Sequence, residues 1–449
     1  MSVIFRQFVD DDLGCASYLV GDEHAGIAVL VDPAYRIEPY LEEASRREVR
    51  IVRVLETHTH ADHVSGHGRF ALEHGLPVSV HGAAEPDFPN EPFEDGDEIE
   101  AGEVRLRVIH TPGHRPEHCA FAVIDGSRAP DPWLVLTGDS LFVGDAARPD
   151  LAVEAREGAE GLFSSLRRLA ELGDGVEVFP GHVAGSLCGA GMSSKASSTI
   201  GFERRFNPAL TIRELEQFVA LSVVQPARPP NIERIVELNR GPFLGAPPRL
   251  ESIDELRAGA VVLDVRPAES FAAGHVPRAL SVPVSGTSFA TKAAFVLPLE
   301  RPLAIHASSP AEAEQAADGL RSVGFLELAG RLDAPPTPEQ MSTVEIDELA
   351  SLLAAGEIEL VDVRDTDEHD RAYIPGSSHI PYRVIRQAAE NGLAGSLPVV
   401  TICETGSRAA IAASVLAASG IDARPVLHGG VAAWRARGGE TVAFRRCGG

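Results

Sequence analysis

Lysine is almost missing from this chain of 449 residues: only Lys195 and Lys292 occur, and arginine supplies nearly all the positive charge. The 40 basic residues stand against 65 acidic ones, a formal net charge of −25. An excess of that sign excludes nucleic acid and anionic membrane as expected partners and favours solubility. Cysteine is scarce as well. Cys15, Cys119, Cys188, Cys403 and Cys447 are scattered and odd in number, which excludes a disulfide framework and makes a reducing cytoplasm the expected compartment. No apolar run approaches membrane-spanning length, and Met1–Gln7 enters an alternating strand with no basic, then apolar, leader pattern. A soluble protein with no membrane partner is expected. What remains is ordinary globular material, 44% hydrophobic and 23% charged, able to bury large cores. A chain this long calls for about two to four domains.

The chain is organised around Glu56-Thr57-His58-Thr59-His60-Ala61-Asp62-His63, which follows the apolar run Ile51–Leu55. His58 and His60 sit two apart, so in an extended segment both rings project from one face. Asp62 and His63 begin the next turn and can reach the same point. Imidazole and carboxylate at this spacing suit zinc or iron, whereas a solvated His-rich turn would need no partners elsewhere. Partners do recur. The strand Val104–Ile109 leads to His114, the strand Trp133–Thr137 to Gly138-Asp139, and the strand Val176–Phe179 to Pro180-Gly181-His182. Each of four strands thus delivers a His or Asp just before a Gly- or Pro-marked loop, as a rigid sheet presents a site. Helices are expected over Ile37–Arg47, Val64–His74 and Ala155–Leu172, with two more between Leu210 and Arg240.

The set His58, His60, Asp62, His63, His114, Asp139 and His182 resembles the metallo-β-lactamase superfamily. That resemblance implies an αββα sandwich with a metal site at one edge between the sheets. In two-metal members such as glyoxalase II, one metal takes His58, His60 and His114. The other takes Asp62, His63 and His182, with Asp139 bridging.

Beyond a linker at 246–250 the chain repeats itself. Val261–Arg266, Phe271 and Gly274-His275-Val276-Pro277 form one copy. Glu359–Arg364, Ile374-Pro375-Gly376 and His379-Ile380-Pro381 form the next. Both resemble rhodanese modules, α/β domains that carry sulfane sulfur. In the second copy the apolar strand Val399–Ile402 runs into Cys403-Glu404-Thr405-Gly406, and a helix starts at Ser407. A cysteine ahead of a helix N-terminus meets converging N–H groups and the positive end of the dipole, which favour thiolate and cradle a sulfur anion. Cys403 to Arg408 is Cys-x4-Arg, shorter than the Cys-x5-Arg loop of rhodanese-like phosphatases, and resembles sulfurtransferases. Cys403 and Arg408 are therefore expected to be catalytic, with the loop Glu404, Thr405, Gly406 and Ser407 holding a persulfide. Glu404 departs from the basic residue common at its position. In the first copy Ala307 falls opposite Cys403 and Glu312 opposite Arg408, so this copy lacks a thiol and serves as a spacer or assembly surface. The expected fold class is α/β: a metal domain over 1–245, a degenerate rhodanese-like domain over 246–340 and an active rhodanese domain over 341–449. Self-association to a homo-oligomer is expected.

The whole layout resembles bacterial persulfide dioxygenase–rhodanese fusions. Thr111-Pro112-Gly113-His114 with Glu117-His118, Phe142–Asp145, Arg148–Leu151 and Gly185–Gly189 agree. The resemblance implies one Fe(II) per chain on His58, His114 and Asp139, the two-His-one-carboxylate face that leaves positions open. It implies oxidation of a low-molecular-weight thiol persulfide by O2 to sulfite and thiol, followed by sulfur transfer from Cys403 onto sulfite. His60, Asp62, His63 and His182 then orient ligands or bind substrate. Cys188, His118 and Arg148 are candidate pocket residues. Cys188 reads equally as a substrate-proximal thiol or as a small buried residue in a Gly-rich turn. Cys15, in an apolar strand, and Cys447, on the tail, read as structural and incidental. The main alternative is a two-zinc thioester hydrolase of the glyoxalase II type, since zinc has no redox chemistry. A non-enzymatic sulfur carrier or sensor is the other.

Overall fold

The structure is a computed structural model that describes residues 3–183, 193–222, 227–333, 338–393 and 397–444. The chain divides into two compact units, Met1–Pro247 with Arg321–Gly324, and Pro248–Leu320 with Phe325–Gly449. Among the described residues no helix is long and apolar enough to cross a membrane.

In the first unit, β1 (Val3–Val9), β2 (Ala16–Asp22), β3 (Ile27–Val31), β4 (Arg50–Leu55) and β5 (Val78–Ser79) form a sheet in that order. The first three run antiparallel and the last three parallel. The second sheet draws on β6 (Glu98–Ala101), β7 (Val104–His110), β8 (Cys119–Asp125) and β9 (Leu134–Gly138). After a small hairpin, β10 (Leu141–Phe142) and β11 (Asp145–Ala146), it adds β12 (Glu177–Pro180) and β13 (Ser198–Thr199). Its order is β13-β12-β9-β8-β7-β6.

The alternation of side chains explains why the sheets stack. On β2, Ala16, Tyr18 and Val20 face the second sheet and meet Leu106, Val108, Phe121, Val123 and Leu136. Leu19, between them, faces outward onto Tyr40, Ala44 and Phe70, which come from the helices Glu38–Arg46 and His67–His74. On the far side the helix Ala155–Ala170 lays Ala159, Leu162, Leu166 and Leu169, spaced three and four apart, over Ile109, Ala122 and Val135. The result is helix, sheet, sheet, helix. Each fully buried Leu, Val or Phe contributes about 1.5–3 kcal/mol to it.

Strand direction brings the loops together. β9 and β12 pair parallel, and β7 and β9 are both antiparallel to β8, so all three end at one edge. That edge receives His114, Asp139 and His182. Most element boundaries fall within a residue or two of the sequence reading, and two helical stretches differ by more. The helix expected from Val64 begins only at His67, because the Ser65 hydroxyl turns back to the Glu56 carboxylate at 2.5 Å. The two helices expected between Leu210 and Arg240 are three short ones, Pro208–Thr211, Leu215–Ser222 and Ile232–Arg240, the first capped by the Asn207 side chain.

The second unit holds two parallel sheets. β14 (Ser252–Ile253), β15 (Val261–Asp264), β16 (Leu280–Ser281), β17 (Leu303–His306) and β18 (Leu328–Leu332) lie in the order β14-β18-β17-β15-β16. β19 (Glu359–Asp362), β20 (Ser378–His379), β21 (Val399–Ile402) and β22 (Ala423–Pro425) lie in the order β20-β19-β21-β22, which repeats β16-β15-β17-β18. Register agrees: Asp264 pairs with His306 as Asp362 pairs with Ile402, so Ala307 stands at the level of Cys403. The copies touch. The Ser414 hydroxyl accepts the Ser281 N–H at 3.0 Å, and the Arg383 guanidinium lies 5.0 Å over the Phe295 ring.

Leu162 is fully buried where the helix Ala155–Ala170 meets the second sheet. Leu162→Ala is expected to destabilise the first unit by about 2–5 kcal/mol, through lost transfer energy and an unfilled cavity. Denaturant unfolding measures it, and a change below about 1 kcal/mol would contradict the packing described.

Candidate metal centre

His58 lies three residues beyond β4, His114 four beyond β7, and Asp139 directly after β9. One ligand atom from each of the three falls within 4.8 Å of the others, and all three residues are buried. Each ring nitrogen is assigned by its partner. The Thr57 hydroxyl donates to Asp32 Oδ2 at 2.8 Å and accepts from His58 Nδ1 at 2.9 Å, which leaves the His58 Nε2 lone pair inward. His114 Nδ1 donates to the Arg148 carbonyl at 3.0 Å, which frees its Nε2 in the same way. Asp139 donates its N–H to His118 Nε2 at 2.8 Å and accepts from His182 Nδ1 on Oδ1 at 2.8 Å. His58 Nε2 and Asp139 Oδ2 are then buried with no hydrogen-bond partner. Buried polar atoms without partners are costly and rare. Two imidazole nitrogens and a carboxylate oxygen pointing at one another fit a divalent metal, because an ion satisfies all of them at once.

The electrostatics suit ligation. Burial, reinforced for His58 by neighbouring rings, holds both His58 and His114 below the ordinary histidine value of 6.5, so they stay neutral. Burial pushes His118 down to about 3, with the adjacent His114 adding to it. Burial alone would raise the Asp139 carboxyl, but the His182 ring beside it prevails and holds it well below the usual carboxylate range. Gly138 is required before it. Its φ is +48°, and a Cβ there would fall 2.6 Å from His118 Nε2 and 2.9 Å from Thr57.

The rest of the His cluster turns to either side. His60 Nε2 faces Glu56 at 3.0 Å and Asp32 at 3.2 Å, and its Nδ1 is buried without a partner. Asp62 and His63 lie at 3.1 Å, and His182 Nε2 reaches Asp62 Oδ2 at 2.6 Å. Three sequence readings need correction. Cys15 is not incidental: its thiol stands 3.3–3.5 Å from Asp62, His63 and His182. His118 does not line a pocket; it is fully buried and spends both nitrogens, on Thr111 at 2.8 Å and on the Asp139 N–H. The Arg148 guanidinium is also buried and engaged by Asp150 at 2.7 and 2.9 Å, so what this residue offers the site is its carbonyl. Cys188 lies outside the described residues, as does Cys447.

Sequence reasoning missed Asp32, Thr57 and Asn239. Asn239 Nδ2 donates to the carbonyls of His60 at 3.0 Å and His63 at 2.8 Å, and its Oδ1 accepts the Ser65 N–H at 2.9 Å. It pins the cluster from the helix Ile232–Arg240, far away in sequence, and no local signal announces it. Thr57 could have been found, since it stands inside the motif.

In the second unit Cys403 is buried at the end of β21, and its sulfur accepts the Gly406 N–H at 3.1 Å. Gly406 has φ +113°, and any Cβ there would collide with the Leu427 carbonyl. The helix Ser407–Ala418 starts directly after it. Arg408 is engaged by Glu368 at 2.7 Å, and Glu404 is held between Arg364 at 2.9 Å and Arg435 at 2.6 Å. Thr405 and Ser407 complete the turn between strand and helix. Carboxylate–guanidinium pairs thus fix the loop on both sides of the thiol.

Two outcomes follow for the metal centre. His118→Ala removes no ligand but frees the Asp139 backbone, and should weaken metal binding about 10–100-fold in a competition titration. Because His58 and His114 titrate below their ordinary value, they remain neutral as the pH falls through it. Metal content at about pH 6 should therefore match that at about pH 7.5 and drop only in stronger acid, as elemental analysis after dialysis would report.

Residues 10–182 match the Metallo-beta-lactamase superfamily and residues 345–437 the Rhodanese-like domain. An uncharacterized protein of Mycobacterium tuberculosis is 31% identical over 224 residues, covering 44% of this chain and 93% of that protein. Persulfide dioxygenase ETHE1, mitochondrial, of Bos taurus is 29% identical over 261 residues, covering 55% of this chain and 91% of that protein. The crystal structure of a metallo-beta-lactamase from Staphylococcus aureus superposes with a TM-score of 0.70 at 28% identity, over 74% of this chain and 100% of that one. With the αββα sandwich, the buried His and Asp cluster and the thiol loop already in place, these likenesses make the chain an enzyme of the metallo-beta-lactamase superfamily, with persulfide dioxygenases among its relatives and a rhodanese-like domain in its C-terminal third.

Proposed function

We propose that the first unit is a mononuclear iron persulfide dioxygenase and that Cys403 carries sulfane sulfur in a coupled transfer. The observation that supports it most is the buried His58–His114–Asp139 triangle, in which His58 Nε2 and Asp139 Oδ2 have no hydrogen-bond partner. Two imidazoles and one carboxylate on one face are the donor set of non-heme Fe(II) oxygenases. One Fe(II) held there supplies the redox chemistry by which O2 reacts with the sulfane sulfur. The overall change is RSSH + O2 + H2O → RSH + SO3²⁻ + 2H⁺. In it the sulfane sulfur is oxidised, O2 is reduced, and the thiol leaves unchanged in oxidation state. The bovine relative, named a persulfide dioxygenase, favours this substrate class for this chain as well.

The chain's own residues orient the face. Thr57 and the Arg148 carbonyl each hold one ring nitrogen, which sets both tautomers. His118 and His182 hold Asp139 by its N–H and one oxygen, so its other oxygen keeps a single direction. Asn239 keeps the His60–Ser65 turn from relaxing.

In the second unit Cys403 attacks the outer sulfur of a persulfide, RSSH + Cys403–SH → RSH + Cys403–SSH. Sulfite then removes that sulfur as thiosulfate and leaves the thiolate. The Gly406 N–H donates to the sulfur directly ahead of the helix Ser407–Ala418, and a helix start of this kind is suited to hold a transferred sulfur anion. Ala307 at the same level of the first copy offers no nucleophile, so that copy supports the second by packing.

Elemental analysis of protein purified without added metal, paired with O2 uptake on glutathione persulfide, tests this function. About one iron per chain with O2 consumption and sulfite release is expected. Two zinc ions with thioester cleavage and no O2 uptake would sink it. His114→Ala should abolish O2 uptake, whereas Cys403→Ser should abolish thiosulfate formation and leave O2 uptake near the wild-type rate.

A further inference from the structure

Among the described residues, Cys15 is a nucleophilic side chain at the metal centre that the proposed reaction leaves without a task. It sits just before β2, and its backbone is pinned to the loop after β12. Cys15 and His182 form an antiparallel bridge, flanked by Ala16 N–H to the Gly181 carbonyl at 2.7 Å and Val183 N–H to the Gly14 carbonyl at 2.8 Å. The side chain is therefore held, not merely nearby. Its sulfur lies 3.5 Å from Asp62 Oδ2, 3.5 Å from His63 Nδ1 and 3.3 Å from His182 Nε2. Those three residues are the donors that a two-metal centre of this fold needs for its second ion.

The two halves of the centre differ in how their polar atoms are satisfied. At His58 and Asp139 the inward atoms have no partner. At Asp62 and His182 the same kinds of atom close on each other, with His182 Nε2 on Asp62 at 2.6 Å; His63 Nδ1 meets Asp62 at 3.1 Å while its Nε2 is buried without a partner, and the Cys15 sulfur touches all three residues. An ion bonds nitrogen and oxygen ligands at about 2.0–2.2 Å. One drawn onto those atoms from the Cys15 side would meet a sulfur already in contact with each of them. We infer that Cys15 restricts the centre to a single metal: its thiol fills and hydrogen-bonds the Asp62–His63–His182 corner, so that only His58, His114 and Asp139 take an ion. Cys15 is thus a positioning residue that selects mononuclear oxygen chemistry over the two-metal hydrolysis available to the same fold. The inference rests on the mononuclear reading above and explains it from this chain's own residues.

Metal stoichiometry tests it. The intact protein and its Cys15→Ser and Cys15→Ala variants are stripped, reloaded with excess Zn²⁺ or Co²⁺, desalted and analysed for metal. About one ion per chain is expected for wild type and for Cys15→Ser, which keeps a small hydrogen-bonding group, and about two for Cys15→Ala. Two ions in the wild type would overturn the inference. So would a near-ultraviolet sulfur-to-cobalt charge-transfer band in the cobalt protein, because it makes Cys15 a ligand rather than a plug. His114→Ala in the wild-type background separates the two readings. If it fails to empty the site, the metal lies elsewhere and both fall. If it empties the site while Cys15→Ala still holds only one ion, the inference about Cys15 alone falls.

Discussion

Asp139 is gripped at two points, and the metal centre depends on that grip. Its N–H is spent on His118 and one carboxylate oxygen on His182, which leaves a single oxygen facing His58 and His114. Neither holder is interchangeable with solvent, since both rings are buried. The grip also explains the glycine before it, because a side chain at Gly138 would occupy the space that His118 and Thr57 use. Parallel pairing of β9 with β12 brings Asp139 and His182 to the same edge. A carboxylate anchored this way gives a metal one direction of approach and one oxygen, where a looser one could chelate or bridge.

The same logic of removing freedom recurs in the second unit with different chemistry. There the central atom is the Cys403 sulfur, and around it stand the Gly406 N–H and ion pairs. Arg364, Arg408 and Arg435 are each matched by a carboxylate from Asp362, Glu368 or Glu404. The cations therefore stiffen the loop instead of offering loose positive charge, and the sulfur is served by the Gly406 N–H. The first copy repeats strand order and register but has alanine at the thiol's level.

Much of this was legible in the residues. The His-x-His-x-Asp-His run, the strand-to-loop arrivals of His114, Asp139 and His182, and the Cys-x4-Arg loop are local patterns, and periodicity located the strands that carry them within a residue or two. Helix boundaries near Ser65 and Asn207 were missed because single side-chain hydrogen bonds, to Glu56 and Ala209, decide where those helices begin. His118 and Arg148 were read as pocket residues because proximity in sequence to His114 and Asp139 says nothing about which way a side chain or carbonyl points.

By itself the sequence determined the two chemistries, a His and Asp metal set and a thiol at a helix start, since each is written in contiguous residues with strict spacing. Only the tertiary structure decided how the seven metal-type residues divide. That division depends on contacts between separate segments: Cys15 against His182 and Asn239 against His60 and His63, each more than a hundred residues apart, and the Arg148 carbonyl against His114 across 34 residues. Each ring has two nitrogens and each carboxylate two oxygens, and no local pattern says which atom is already spent. The fold spends them unequally. It leaves His58 and Asp139 with unpartnered atoms and closes Asp62 and His182 on each other beside the thiol of Cys15.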